Sequence, residues 1–240
     1  MKKYSIIFIA LLFFSCREAI KEKTVDFLNS EIKNLEITSS AKTDKISSDE
    51  LPEIQEDDFD CPPEGNAKPE RVRKLNKFKN RTNFPKENDF NLNITLKEIL
   101  KPGNDENRWK NNDAARIVGY VYDVKPGGIE TTNCKSKDKS LRDTHIEIVL
   151  NPMSAKQNEV MIVEITPRIR AIMKNRGEDW STSMVRSKFL GRWVEFEGWM
   201  LFDLEHDNMA ENTRPGNPKN WRATGWEIHP VTSMKVTNRK

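Results

Sequence analysis

Cysteine and histidine are both scarce in this chain, at three of each among 240 residues. No CxxC pair and no His-x-x-x-His spacing occurs, so there is no signature of a closed zinc site. Apolar residues are few as well, at 36%, which is low for a globular chain of this length and places a sizeable part outside any core. An excess of either charge is missing too: 40 Lys+Arg stand against 37 Asp+Glu, a net of +3, so global electrostatics selects no partner. There is no internal repeat. Beyond the first fifteen residues, no apolar run approaches the roughly 20 residues of a membrane-crossing helix.

What the chain does have begins at its N-terminus. Lys2 and Lys3 precede a short apolar run over residues 4–14, the charged and apolar parts of a secretory signal. The run ends at Ser15-Cys16. A small residue before a cysteine at this place resembles the lipobox of bacterial lipoproteins, with Phe13 where Leu is usual. The resemblance implies cleavage before Cys16 and acylation of its thiol and new amino group. Each acyl chain contributes about 0.8 kcal/mol per buried methylene, so two or three chains anchor a protein stably. Removing residues 1–15 takes away two lysines and no acid, leaving 38 basic and 37 acidic residues, or +1. The expectation is a protein of the bacterial cell envelope, held on the inner or outer membrane by lipid on Cys16.

Residues 16–70 read as a lipidated, largely disordered tether. They carry Ser39, Ser40, Ser47 and Ser48, few aromatics, and an acidic stretch over 44–70, too little apolar surface to offset chain entropy. The charge then reverses: residues 71–81 hold six basic side chains and no acid. Val72, Leu75 and Phe78 fall on one helical stripe. The expectation is a basic helix docked by that stripe with its charges solvated or facing the acidic tether; a patch for nucleic acid or anionic head groups is the less favoured reading. Thr95 and Glu98 have capping-box spacing for a short helix, which completes a lead-in over 71–113. Cys61 and Cys134 both sit in loops. Outside the cytoplasm a disulfide between them is permitted, but pairing cannot be read from sequence, and two free thiols are the default.

From residue 114 to 240 the pattern turns to strands, expected over 115–124, 144–150, 159–165, 191–202 and 223–236. Between the third and fourth, Thr166-Pro167 opens a helix that Gly177 ends, and residues 181–189 supply a second helical segment. The fold class is mainly β with one or two helices, in the order β-β-β-α-β-β, the order of a five-stranded OB-like barrel. Gly119 and Gly198 fall mid-strand, where such a barrel bends.

Polar residues are dense in three places of this region. Asp143, His145 and Glu147 alternate on one face of the second strand. Glu227 and His229 do so on the fifth, opposite Trp226 and Ile228. The loop between strands four and five holds His206, Asn212, Arg214, Trp221 and Arg222. These stretches, residues 143–147, 198–206, 212–216, 220–224 and 226–232, resemble an uncharacterised bacterial family with "DTHIE" and "NWRAT-WEIHPVT" motifs. The resemblance spans about Leu75 to Val236 and implies a shape without an assigned chemistry. Three readings follow. The plain one is solvated strand faces with a loop pinned by Arg and Asn hydrogen bonds. The second is a cleft for a small molecule, polysaccharide or protein, with Trp199, Trp221, Trp226 and Arg222 for stacking and hydrogen bonds. The third is a metal-assisted hydrolase, with His145, His206 and His229 plus Asp143 or Glu147 holding a cation. A membrane-anchored binding module is the leading expectation and the hydrolase its alternative. The identity of any cofactor or metal stays open at this point.

Overall fold

A computed structural model describes residues 59–238, apart from 104 and 154. The signal segment, Cys16 and the tether up to residue 58 lie outside the described residues. Five strands close into a barrel: β1 (Ala114–Pro126), β2 (Thr144–Val149), β3 (Met161–Ile165), β4 (Trp193–Phe202) and β5 (Trp226–Val236), in the spatial order β1-β2-β3-β5-β4. All neighbours are antiparallel except β3 and β5, which are parallel. This is the closed, mainly β architecture that the alternating apolar pattern predicts.

The helices follow their local signals. α1 (Glu70–Lys79) buries Val72, Leu75 and Phe78, the expected stripe. Thr95 caps α2 (Leu96–Ile99) by accepting from Glu98 N at 3.2 Å. Thr166 caps α3 (Pro167–Asn175), with Pro167 in the first turn, and Ser181 caps α4 (Thr182–Phe189). α3 and α4 together form the link between β3 and β4. Gly198 lies where the β4–β5 register shifts; a Cβ there would stand 2.3 Å from Pro230 O and 2.5 Å from Ile228 Cγ2, so only glycine lets the strands approach.

The N-terminal boundary differs from the expectation. Residues 59–70, expected in the tether, pack on the barrel. Cys61 and Cys134 form a disulfide with Cα atoms 5.7 Å apart, which corrects the default of free thiols. The Arg168 guanidinium of α3 lies over the Phe59 ring and donates to Cys61 O. Asn76 and Asn80 of α1 complete the staple. Asn76 donates to Glu64 O and Thr131 Oγ1 and accepts from Thr132 Oγ1, and Asn80 donates to Pro63 O and Thr132 O, all at 2.9–3.2 Å. α1 and the β1–β2 loop are thereby one unit. The basic run is solvated only in part: Arg73 is exposed and Arg71, Lys74 and Lys77 are half-buried. Arg71 pairs with Glu205, Arg73 with Glu64, and Lys79 and Arg81 are buried. Among the described residues no helix is long and apolar enough to cross a membrane.

Candidate functional site

Alternation along β2, β3 and β5 sorts their side chains by chemistry. Ile146, Ile148, Val163, Ile165 and Ile228 are fully buried on the face turned into the barrel. The opposite face carries His145, Glu147, Glu164, Glu227 and His229. Cross-strand partners His145 and Glu164, Glu147 and Ile162, and Ile162 and Glu227 bring them side by side. Three segments wall this polar face: the end of α1 with Lys79, the β1–β2 loop with Glu130, and the β4–β5 loop with Asp203, His206 and Trp221. Between them is a cleft of about 320 Å³. A larger cavity of about 450 Å³, lined by Leu100, Pro102, Val149 and Leu150, lies elsewhere and holds none of the histidines.

Hydrogen bonds and ion pairs run through the wall of the cleft as a chain. His145 Nδ1 meets Glu164 Oε1 at 2.8 Å, and its Nε2 lies 3.7 Å from Glu147 Oε1. Glu147 also accepts from Lys125. Glu164 Oε2 is 3.3 Å from His229 Nδ1, which also meets Glu227 Oε2 at 3.2 Å. The other oxygen of Glu227 accepts from Arg222 at 2.7 Å. Arg222 leads at 3.8 Å to Asp203 Oδ2, which accepts from His206 Nδ1 at 2.7 Å and from Lys79 Nζ at 3.4 Å. Lys79 reaches Glu130 at 3.2 Å. The indole of Trp221 lies 5.8 Å from the His145 ring and 6.1 Å from that of His206. It also packs on the apolar cluster of Val149, Val160 and Ile162, so it is fixed beside the cleft.

Protonation follows from burial and pairing. Burial alone lowers a histidine pKa, but contact with Glu147 and Glu164 overcomes it and raises His145 to about 9. His206 is raised by its hydrogen bond to Asp203. His229 is raised because Glu227, Glu164 and Asp143 outweigh its burial. Burial would lift the carboxyl of Asp203, yet Lys79 and His206 hold it well below the usual range. Asp143 goes the other way: its burial dominates, the charge of His229 opposes it only in part, and its pKa rises to about 7. The cleft thus places donors at His145, His206 and Lys79, whose protonated forms their partners favour, beside acceptors at Glu147, Glu164 and Asp203, whose ionised forms are favoured.

Of the residues singled out in the sequence, His145, Glu147, His206, Trp221 and Glu227 line the cleft. Arg222 and His229 lie behind its wall, both fully buried. Asp143 sits beyond His229, at 3.8 Å. Asn212 and Arg214 are elsewhere. Asn212 donates to Lys101 O and Asp105 Oδ1, pinning the loop to the segment before β1, and Arg214 is exposed. Trp199 and Trp226 are not at the cleft either: both are buried and donate to backbone carbonyls, of Asn83 and Asp105. The three histidines do not form one ligand set, because His206 belongs to Asp203 and His145 to Glu147 and Glu164. Among the described residues, the group that could hold a metal ion is Asp143, Glu164 and His229. Sequence reasoning missed Glu164, Lys79 and Asp203. The signal for Glu164 is a single acid in an otherwise apolar β3, directly across from His145. No model of a known protein family matches the chain, and no curated protein matches its sequence.

Proposed function

We propose that this chain is an envelope lipoprotein, anchored through Cys16, whose OB-like barrel binds a small, neutral, polyhydroxylated ligand of the saccharide class in the cleft over β2, β3 and β5. The observation that carries the reading is the lining: charged donors and acceptors alternate there beside one aromatic wall, Trp221. Hydroxyl groups both donate and accept, so they match such a lining, while a sugar ring face suits an indole. An anion would face Glu147, Glu164 and Asp203, which disfavours phosphate and nucleic acid. At about 320 Å³ the cleft is at the low end of small-molecule sites, roughly 300–1,000 Å³. Apolar residues of similar shape would join these strands at least as well as buried ion pairs, so a charged array in a cleft points to use rather than stability. The Cys61–Cys134 disulfide supports an oxidising compartment, in keeping with export.

A glycan array probed with the full-length protein tests the reading. Retention on neutral oligosaccharides, lost in Trp221→Phe while the melting temperature holds, is the expected result. No retention on any glycan, or retention only on sulfated or phosphorylated ones, rejects it.

A further inference from the structure

We infer that Asp143, Glu164 and His229 form a binding site for one divalent first-row transition cation of the Zn2+ or Mn2+ class, set behind the wall of the cleft. Three neighbouring strands supply the set: Asp143 stands at the entry to β2, Glu164 is on β3 and His229 on β5. One ligand atom from each lies within 4.8 Å of the other two. All three residues are buried, at 3%, 5% and 0% exposure. Their atoms are not all satisfied by the protein. Asp143 Oδ1 and His229 Nε2 are buried with no hydrogen-bond partner, an unfavourable arrangement that a bound cation relieves.

The orientation of His229 is the second observation. Glu227 Oε2 stands at its Nδ1 within hydrogen-bond distance, at 3.2 Å, which places a ring proton there. Nε2 is directed to the Asp143 side, and a cation bound there takes the place of the proton that it carries when the imidazole is charged. A histidine held at one nitrogen by a carboxylate and free at the other is the usual arrangement of a metal ligand, and Arg222 fixes Glu227 in turn. Nε2 and Asp143 Oδ2 are 3.8 Å apart, too far for a hydrogen bond. Two bonds of about 2.1 Å to one cation, opening at about 110–130°, separate their ligand atoms by about 3.4–3.8 Å. One imidazole and two carboxylates are a mixed N/O set, which favours Zn2+ or Mn2+ over Ca2+. Glu164 also lines the cleft, so the set borders the cleft on that side. Arg170 stays close to Asp143 but donates to Thr144 Oγ1 and to the carbonyls of residues 140, 142 and 165, so it does not replace a cation.

The test uses full-length, tag-free protein stripped with chelator, titrated separately with Zn2+ and Mn2+ by calorimetry. One equivalent is expected to bind the wild type, with affinity at least tenfold lower in Asp143→Asn and in Glu164→Gln and unchanged in the exposed loop variant Asp138→Asn. Absence of stoichiometric binding of either metal to the wild type overturns the site, as does equal binding by Asp143→Asn and Glu164→Gln. Should these variants fail to fold by circular dichroism, Co2+ loading of the wild type decides. A visible d–d band saturating at one equivalent supports the site, and no band overturns it. The saccharide reading stands or falls separately, on the glycan array.

Discussion

Lys79 is the side chain whose removal tests this architecture most severely. Read along the chain, it belongs to a basic helix whose charges face water or the acidic tether. In the structure its side chain is 3% exposed, with Nζ at 3.4 Å from Asp203 and 3.2 Å from Glu130. Lys79→Met keeps the stem and deletes the charge. Breaking a buried pair by removing one partner costs about 3–5 kcal/mol, because the other charge is left uncompensated. Asp203 retains His206 at 2.7 Å, the Glu205 amide at 3.1 Å and Arg222 at 3.8 Å, which puts the cost near the lower end, about 3 kcal/mol. For a domain of this size that is a fall in melting temperature of about 6–12 °C. Asp203→Asn removes the orphaned charge, so a double-mutant cycle returns a coupling of about 2 kcal/mol. The deficit of Lys79→Met also closes as pH falls through the depressed pKa of Asp203, since the stability that carboxylate contributes is present above its unfolded value and lost on that descent. The assay is denaturant unfolding followed by circular dichroism. A change within about 0.5 kcal/mol, as for a solvated lysine, refutes the reasoning.

Three further outcomes are expected. Reducing agent, or the double variant Cys61→Ser/Cys134→Ser, removes a cross-link over a sequence separation of 73 and costs about 4 kcal/mol in chain entropy, and the double variant itself no longer responds to reductant in thermal melts. His206 has its folded pKa raised by Asp203, so its contribution is complete below the unfolded value of about 6.5 and is lost as pH rises through the folded value. His206→Gln therefore loses stability relative to the wild type at pH 6 and converges with it in alkaline solution, as melting temperature against pH will show. Cys16→Ser releases the protein from membranes, and a variant that still sediments with them at high salt rejects the anchor.

Much of this fold is legible in the sequence because its causes are local. The β-branched alternation of residues 144–149, the Thr166-Pro167 helix start and the Thr95 cap all act within a few residues. Alternation also identified one polar face on β2 and another on β5, and closure of the barrel brings them together. Non-local pairing is what stayed hidden. Nothing near Lys79 announces Asp203, 124 residues away, and composition assigned it to solvent. The disulfide joins two loops with no shared pattern. Asn212 and Arg214 share a loop with His206 and Trp221, but that loop bends around Asp105, which draws Asn212 away from the cleft. Glu164 was visible only as an acid in an apolar strand, and its meaning depends on the strand beside it.

Trp221 provides the most direct readout of the central claim, that the cleft takes a neutral polyhydroxylated ligand. Its indole lies against both His145 and His206, so a ligand seated there changes its surroundings. Titration of the full-length protein with neutral oligosaccharides, followed by tryptophan fluorescence, should give a saturable change that weakens at least tenfold in Glu147→Gln. That substitution keeps the side-chain shape and removes an ionised acceptor from the lining. No saturable change with any neutral glycan, or the same affinity in Glu147→Gln, contradicts the account.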